Sequence, residues 1–279
     1  MSLPPRPRAV VTGAGSGLGR ALCEALAHRQ ARVLVSDIHV PSAEETARRV
    51  VAAGGEAHVH VCNVANPEHV EALAQTAERV LGGVDLLVNN AGVLSAGRVG
   101  ELPLADWKHV LDVNLWGVIH GCHVFVPRLR RQGSGHILNI ASAAGLLYAP
   151  DLAPYNASKA AVVALSETLS AELRTAGIGV TVACPTFFRT NIASSGRYSD
   201  DTLRTLGTRM VDTARVGPDV VSERLLKAVD RGALYVLPMA DARWGWRLRR
   251  LSPGLFHRAV VAFDGYMRKR LLRPGRSHR

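Results

Sequence analysis

Cysteine is scarce in this 279-residue chain, and its four cysteines never adopt the paired spacing of a disulfide framework or a zinc site. Cys23, Cys62, Cys122 and Cys184 stand far apart, so they read as buried, reduced thiols, and no metal centre is expected. A long apolar run is missing from the N-terminus. MSLPPRPRAVV carries Arg6 and Arg8, but its apolar stretch is short and leads straight into a glycine turn. It fits neither a signal peptide nor a membrane span, and the expected location is cytoplasmic. Internal repeats and low-complexity tracts are also absent, so the chain is not an array of small units.

What is present points to one large domain. Apolar residues make up 47% of the chain and are spread along it, enough to bury a sizeable core over 1–239. The net charge of +11 is uneven. Residues 240–279 hold eleven Lys and Arg against Asp241 and Asp264, a local balance of +9 that leaves only +2 elsewhere. A uniformly basic fold would suggest nucleic acid, whereas here the excess belongs to one terminal extension.

Short aliphatic runs recur at 9–12, 32–36, 57–61, 85–89, 136–142, 179–185 and 233–238, each reading as a buried strand. Stretches of helical character alternate with them at 18–29, 42–53, 67–81, 104–131, 154–176 and 217–230. This alternation predicts an α/β fold of the Rossmann type, a doubly wound parallel sheet of about seven strands with helices on both faces. Residues 193–215 are polar, glycine-punctuated and weakly periodic, which suggests a mobile flap over a pocket.

VVTGAGSGLGRAL places Gly13, Gly15, Gly17 and Gly19 between the first strand and a helix. Missing side chains there let backbone approach a pyrophosphate, and the helix N-terminus attracts it. Thr12 opens the turn, and Ser16 and Leu18 complete the candidate phosphate cradle. The second strand ends at Asp37, 24 residues after Gly13, about where a carboxylate meets the adenosine ribose hydroxyls. Such a carboxylate about 4 Å from a 2′-phosphate costs on the order of 4 kcal/mol, which favours NAD over NADP. Ile38 follows where a phosphate-binding Arg would otherwise sit; Arg20 and His39 are the basic groups that could come near a phosphate and keep NADP open as the alternative.

Later segments carry chemistry. VNNAG contains Asn90, Ala91 and Gly92, LDVNLWG places Asn114 in the long helix, ILNIAS puts Ser142 at a strand end, and YNASK supplies Tyr155 and Lys159. Five tyrosines and four lysines would produce that YxxxK spacing by chance only about 0.07 times, before the other motifs are required. In this order, the motifs resemble the short-chain dehydrogenase/reductase superfamily, in its single-domain branch, from about Arg8 to Pro238. On a helix, residues four apart share a face, so the Lys159 ammonium can sit near the Tyr155 phenol. Bringing a phenol from about 10 to near 7 takes on the order of 4 kcal/mol, the size of one charge at about 4 Å. A tuned tyrosine can give or take the proton that accompanies hydride transfer, and Ser142 can hold the same substrate oxygen. The resemblance implies further that Lys159 grips the nicotinamide ribose and that Asn114 holds a water in a proton relay.

It also implies that Asn63 lies by the adenine, that Val64 and Pro185 touch the cofactor and that Thr190 contacts the nicotinamide carboxamide, while Phe187 and Phe188 line the cofactor or substrate side or else serve packing, the commoner role of two such aromatics. Two positions depart from the family pattern. Asn63 stands where aspartate is usual, and Thr186 replaces a glycine. A substrate pocket of Leu94, Ser142, Leu146, Leu152, Phe187 and Met210, with Leu147 nearby, offers no cation for an anionic substrate. That composition suggests a hydrophobic secondary alcohol or ketone, lipid-like, steroid-like or ring-shaped, although core packing accounts for the same leucines as well.

Beyond the last strand, Phe256, Val260, Phe263 and Met267 recur at helical spacing, with Arg258, Lys269 and Arg270 mostly off that stripe and Trp244 and Trp246 before it. Two readings stand: a helix packed on its own domain or a neighbouring subunit, or a basic amphipathic segment resting on an anionic inner membrane face. Nucleic acid comes third, for want of a recognition motif. The sequence as a whole predicts an NAD-dependent oxidoreductase, with a non-catalytic dinucleotide-binding regulator as the rival. The resemblance implies a homodimer or homotetramer packed through the helices at 104–131 and 154–176.

Overall fold

The computed structural model of the protein describes residues 2–271, with side chains as far as residue 266. In chain order the first half comprises β1 (Arg8–Thr12), α1 (Gly17–Ala27), β2 (Arg32–Asp37), α2 (Val40–Ala52), β3 (Glu56–Val61), α3 (Pro67–Leu81), β4 (Leu86–Asn89), β5 (Ser95–Ala96), α4 (Leu104–Leu111) and α5 (Gly117–Gln132). Then follow β6 (Gly135–Ile140), α6 (Ala144–Leu147), α7 (Ala153–Leu173), β7 (Ile178–Ala183), β8 (Arg197–Tyr198), α8 (Asp201–Asp212), α9 (Pro218–Asp230), β9 (Tyr235–Val236), α10 (Ala240–Leu251) and α11 (Pro253–Leu271).

Seven strands pair in parallel in the order β3-β2-β1-β4-β6-β7-β9. They read as continuous aliphatic runs because both faces are covered. One core cluster gathers Leu22, Leu26, Val33, Leu86, Leu138 and Leu225 beneath α1, α2 and α9. The other gathers Leu34, Leu73, Leu87, Phe125, Ile137 and Leu173 beneath α3, α5 and α7. Strand order reverses between β1 and β4, and at such a switch point two loops diverge to leave a crevice at the carboxyl ends of the strands.

Helix ends follow local chemistry. The Asn66 side chain caps α3 by accepting from the Glu68 and His69 amides at 2.8 and 3.3 Å, and Gly82 ends the helix with φ +74°. The predicted helix at 104–131 runs unbroken from α4 into α5 through a π-helical turn, Asp112–Trp116, which holds Asn114. Leu104–Gln132 is long and apolar enough to cross a membrane by length and composition, yet 44% of its most apolar window is buried inside the protein. All four cysteines are buried and free, and burial raises Cys62 to about 11 and Cys184 to about 12.

Several predicted boundaries shift. The run at 136–142 stops pairing at Ile140, leaving Ser142 in the loop beyond the strand, and the run at 233–238 pairs only over Tyr235–Val236. The stretch at 193–215 is not irregular throughout. It forms β8, which pairs with β5, and α8, whose start is capped by Asp200 accepting from the Leu203 amide at 2.9 Å. The described part of the C-terminal extension folds as two helices, of which α11 packs on α10. The predicted stripe is only partly sheltered, since Phe256 and Val260 are half-buried while Phe263 is exposed; the side chains of Met267, Lys269 and Arg270 lie outside the described residues.

Gly145 fixes how closely α6 approaches α7, because a Cβ there would lie 2.6 Å from the Lys159 carbonyl carbon. Gly145→Ala is expected to force the two helices apart and cost about 1–3 kcal/mol, read as a lowered urea midpoint with an unchanged slope.

Candidate active site

The crevice is walled by backbone that glycine allows to pack closely. At Gly13, with φ +61°, an added Cβ would sit 2.7 Å from the Ala91 Cα, and at Gly19 it would overlap the Gly13 carbonyl oxygen. Thr12 and Asn90 stitch the two loops together. The Thr12 hydroxyl accepts from the Asn90 and Ala91 amides at 3.0 and 3.2 Å, while the Asn90 side chain donates to the carbonyls of Thr12 and Gly13 at 2.8 and 3.0 Å. Ser16 is exposed at the head of α1 and its hydroxyl makes no capping bond, which leaves the first-turn amides of Gly17 and Leu18 without a side-chain cap.

At the end of β2 the half-buried Asp37 carboxylate accepts from the Gly15 amide at 2.8 Å and from the His39 amide at 2.9 Å. Arg20 does not reach into the crevice; its guanidinium donates to the Gly15 carbonyl and the Thr46 hydroxyl. The His39 ring is engaged too, 2.7 Å from the Ser42 hydroxyl. Ile38 is exposed beside Asp37. Across β3, the Asn63 side-chain oxygen accepts from the Ala65 amide at 3.1 Å, and Val64 is buried.

Four predicted catalytic residues converge from three places: Asn114 from the π-helical turn, Ser142 from the loop after β6, and Tyr155 and Lys159 from α7. Lys159 is 3% exposed, and its ammonium donates to the Ile140 carbonyl at 2.8 Å, joining α7 to the end of β6. It stands 5.7 Å from the centre of the Tyr155 ring. Asn114 is fully buried: its oxygen accepts from the Val93 amide at 2.8 Å, and its nitrogen donates to the Val93 carbonyl at 2.9 Å and the Ser158 hydroxyl at 3.3 Å. Gly92 brings these groups to one spot, since a Cβ there would lie 3.3 Å from the Asn114 oxygen and 3.6 Å from the Lys159 nitrogen. The Ser142 hydroxyl donates to the Pro185 carbonyl at 3.4 Å and accepts from the Ala144 amide at 3.1 Å.

Electrostatics depart from the expected pattern of a lysine acidifying the phenol. Burial raises the Tyr155 phenol above its ordinary value, opposed by a hydrogen bond with Ser142. Burial also lowers the Lys159 ammonium from 10.5 to about 8. Desolvation is the largest influence at both groups, and among the described residues no carboxylate offsets it at the ammonium.

A family model described as short chain dehydrogenase matches residues 7–200. The chain belongs to the short-chain dehydrogenase family. A Mycobacterium tuberculosis protein named "Probable oxidoreductase EphD" is 39% identical over 246 residues, covering 84% of this chain and 42% of that protein; this chain therefore spans less than half the length of that relative. A cyclohexanol dehydrogenase of Acinetobacter is 36% identical over 183 residues, covering 65% of this chain and 73% of that one. A solved short-chain dehydrogenase/reductase of Burkholderia phymatum, in complex with NAD, is 36% identical with a TM-score of 0.85, covering 91% of this chain and 96% of that chain.

Within the family frame, the remaining predicted residues fall in distinct surroundings. Phe188 packs against the core on the α1 side, Pro185 is buried, and the Thr190 hydroxyl accepts from the Ile192 amide at 3.2 Å. Leu94 and Leu152 are half-buried, and Phe187 and Met210 are exposed. Leu146 belongs to the buried core, so its side chain is core packing as much as pocket wall. Thr186 donates to Asp241 on α10 at 3.1 Å, a contact the family glycine would lack. Sequence reasoning missed Ser158, legible inside YNASK as the partner of Asn114, and Asp241, Tyr148 and Arg249, for which no local pattern existed.

The shift at Lys159 sets a pH dependence. Its folded value of about 8 lies below the 10.5 of the free side chain, so the ammonium's burial cost is fully felt below pH 8 and fades as pH rises toward 10.5. In dinucleotide-free protein, Lys159→Met is expected to gain about 1–3 kcal/mol at pH 7, an advantage that narrows by pH 10, read from urea melts at both pH values.

Proposed function

We propose that the protein is a nicotinamide-dinucleotide-dependent oxidoreductase that interconverts a secondary alcohol and a ketone. The convergence of Tyr155, Lys159, Ser142 and Asn114 beside a glycine-walled crevice carries this reading. What supports a dinucleotide there is backbone that only glycine lets approach so closely, since a Cβ would collide with the β4 loop at Gly13, with Asp37 at Gly15 and with the Gly13 carbonyl at Gly19, together with the uncapped start of α1, whose amides suit a pyrophosphate. Gly13, Ser16, Gly17, Leu18 and Gly19 would hold the phosphates. Asn90, Ala91 and Gly92 would border the dinucleotide on the β4 side, with Asn63 and Val64 toward the adenine and Pro185, Phe188 and Thr190 toward the carboxamide. The bound dinucleotide supplies the hydride acceptor or donor.

The Tyr155 hydroxyl exchanges a proton with the substrate oxygen, and the Ser142 hydroxyl steadies that oxygen by turning from the Pro185 carbonyl. The Lys159 ammonium, held by Ile140, supplies positive charge that favours the phenolate when Tyr155 gives up its proton. The Asn114 amide, locked by Val93 and Ser158, fixes the end of a proton path. NAD is favoured over NADP because the Asp37 carboxylate is fixed at the end of β2 while Arg20 is held away. An apolar or ring-shaped substrate fits the leucine and phenylalanine side chains near Ser142, and the name of the Acinetobacter relative supports that class.

A second observation concerns the extension. Trp244, Leu251, Leu255, Phe263 and Tyr266 are each more than half exposed, beside Arg243, Arg247, Arg250 and Arg258. Apolar side chains interleaved with arginine favour an anionic membrane surface, where apolar substrates collect, over a second copy carrying the same charge. The family's habit of oligomerising is kept alongside as a homodimer or homotetramer.

Two experiments test these readings. A panel of alcohols and ketones assayed with NAD and NADP should show turnover of hydrophobic members with NAD, and Tyr155→Phe should lose at least about 100-fold in kcat while still binding NADH. Dinucleotide binding without turnover by the wild type would mark the non-catalytic regulator instead. Vesicles rich in anionic lipid should pellet the full chain and not a truncation after Pro238; equal pelleting would remove the membrane reading.

A further inference from the structure

The C-terminal extension reaches back to the active site through one face of α10. Asp241, Gly245 and Arg249 recur every four residues and so form a single stripe. At its start, the Asp241 carboxylate accepts from the Thr186 hydroxyl at 3.1 Å, on the loop that follows β7. In the middle, Gly245 lets Leu147 of α6 pack against the helix, since a Cβ there would meet the Leu147 side chain at 3.1 Å. At its end, Arg249 donates to the Leu146 carbonyl, and its guanidinium lies 3.9 Å over the centre of the Tyr148 ring. The next positions round the helix, Ala242 and Trp246, pack on the core, and Trp246 meets Tyr235 at 5.1 Å between ring centres.

These contacts fall on the two loops that carry the substrate-side groups. The loops are already bonded to one another, because the Ala143 amide donates to the Pro185 carbonyl at 2.8 Å and the Ser142 hydroxyl donates to the same oxygen. A single helix then spans both. Tyr148, which ends α6, has φ +53°, a left-handed conformation that a bulky residue keeps only where its surroundings hold it. Arg249 provides that hold from above the ring, and the Leu146 carbonyl, near the free end of a four-residue helix, gains a charged donor. Movement of α6 would reach Ser142 directly, since the Ala144 amide is bonded to the Ser142 hydroxyl at 3.1 Å.

We infer that α10 is a cross-brace for the substrate side of the active site and that Arg249 is its positioning residue, acting on Ser142 through α6. This rests on the proposed role of Ser142 for its catalytic consequence but not for its structural one. The brace makes the basic extension part of the active-site frame: whatever engages its outer face also bears on the loop that holds Ser142.

The test compares wild type, Arg249→Ala and Arg249→Lys as full-length protein, by backbone amide exchange with and without NADH, NADH titration, and kinetics on a turned-over ketone from the panel. In Arg249→Ala, amides at 143–149 should exchange at least about tenfold faster, while those of β1, β4 and β6 keep their protection. The kcat should fall about tenfold with NADH affinity changed less than about twofold, and Arg249→Lys, which keeps the charged donor but loses the flat stack on Tyr148, should recover part of both effects. Unchanged exchange at 143–149 overturns the brace. Faster exchange throughout the sheet also overturns it, by making Arg249 a general stability residue. Wild-type protein that turns over no substrate contradicts the proposed enzymatic function, while the exchange data still decide the brace.

Discussion

One hydrogen bond underlies the site: the buried Lys159 ammonium on the Ile140 carbonyl, tying the first turns of α7 to the end of β6. Through it, a helix that begins outside the sheet is registered against the strand that leads to Ser142. The same lysine lies beside Gly92 and Asn114, so the loop after β4, the π-helical turn, the end of β6 and α7 meet at a single charged anchor. A charge in dry surroundings costs stability, and burial lowers this ammonium to about 8. The surrounding frame must supply what the anchor costs, and the two aliphatic clusters on either side of the sheet do so.

The anchor would be idle without the crevice. Parallel strands buried on both faces leave their carboxyl ends as the place where loops diverge, and the reversal of order between β1 and β4 opens the gap. Thr12 and Asn90 then set its width by bonding across it, so glycine is required where the loops nearly touch. Cradle and anchor thus sit at the same edge of one sheet, as the proposed dinucleotide site requires of Asp37 and Tyr155.

Much of this was legible in the sequence because it is local. Strands buried on both faces show as unbroken aliphatic runs, and α3 was bounded by its own proline start and terminal glycine. YNASK encodes Tyr155, Ser158 and Lys159 within two turns of helix. What stayed illegible depends on distant packing. The Thr186 to Asp241 and Arg249 to Leu146 bonds join residues 55 and 103 positions apart, and no periodicity announces them. The raised Tyr155 phenol was missed because charge spacing can be read along a helix, whereas desolvation depends on everything folded over it. Helix α8 was obscured by its polar surface and Gly207, although Asp200 already supplied its cap. The π-helical turn at Asn114 likewise left no compositional trace.

The central claim is that the Tyr155 phenol beside Lys159 and the glycine-walled crevice serve one bound dinucleotide. A crystal structure of the protein grown at saturating NAD tests it most directly. The account predicts a dinucleotide lying across the ends of β1 and β4, its adenosine ribose on Asp37 and its nicotinamide ring within about 4–5 Å of the Tyr155 hydroxyl. An empty crevice at saturation, or a ring turned away from Tyr155, would contradict it.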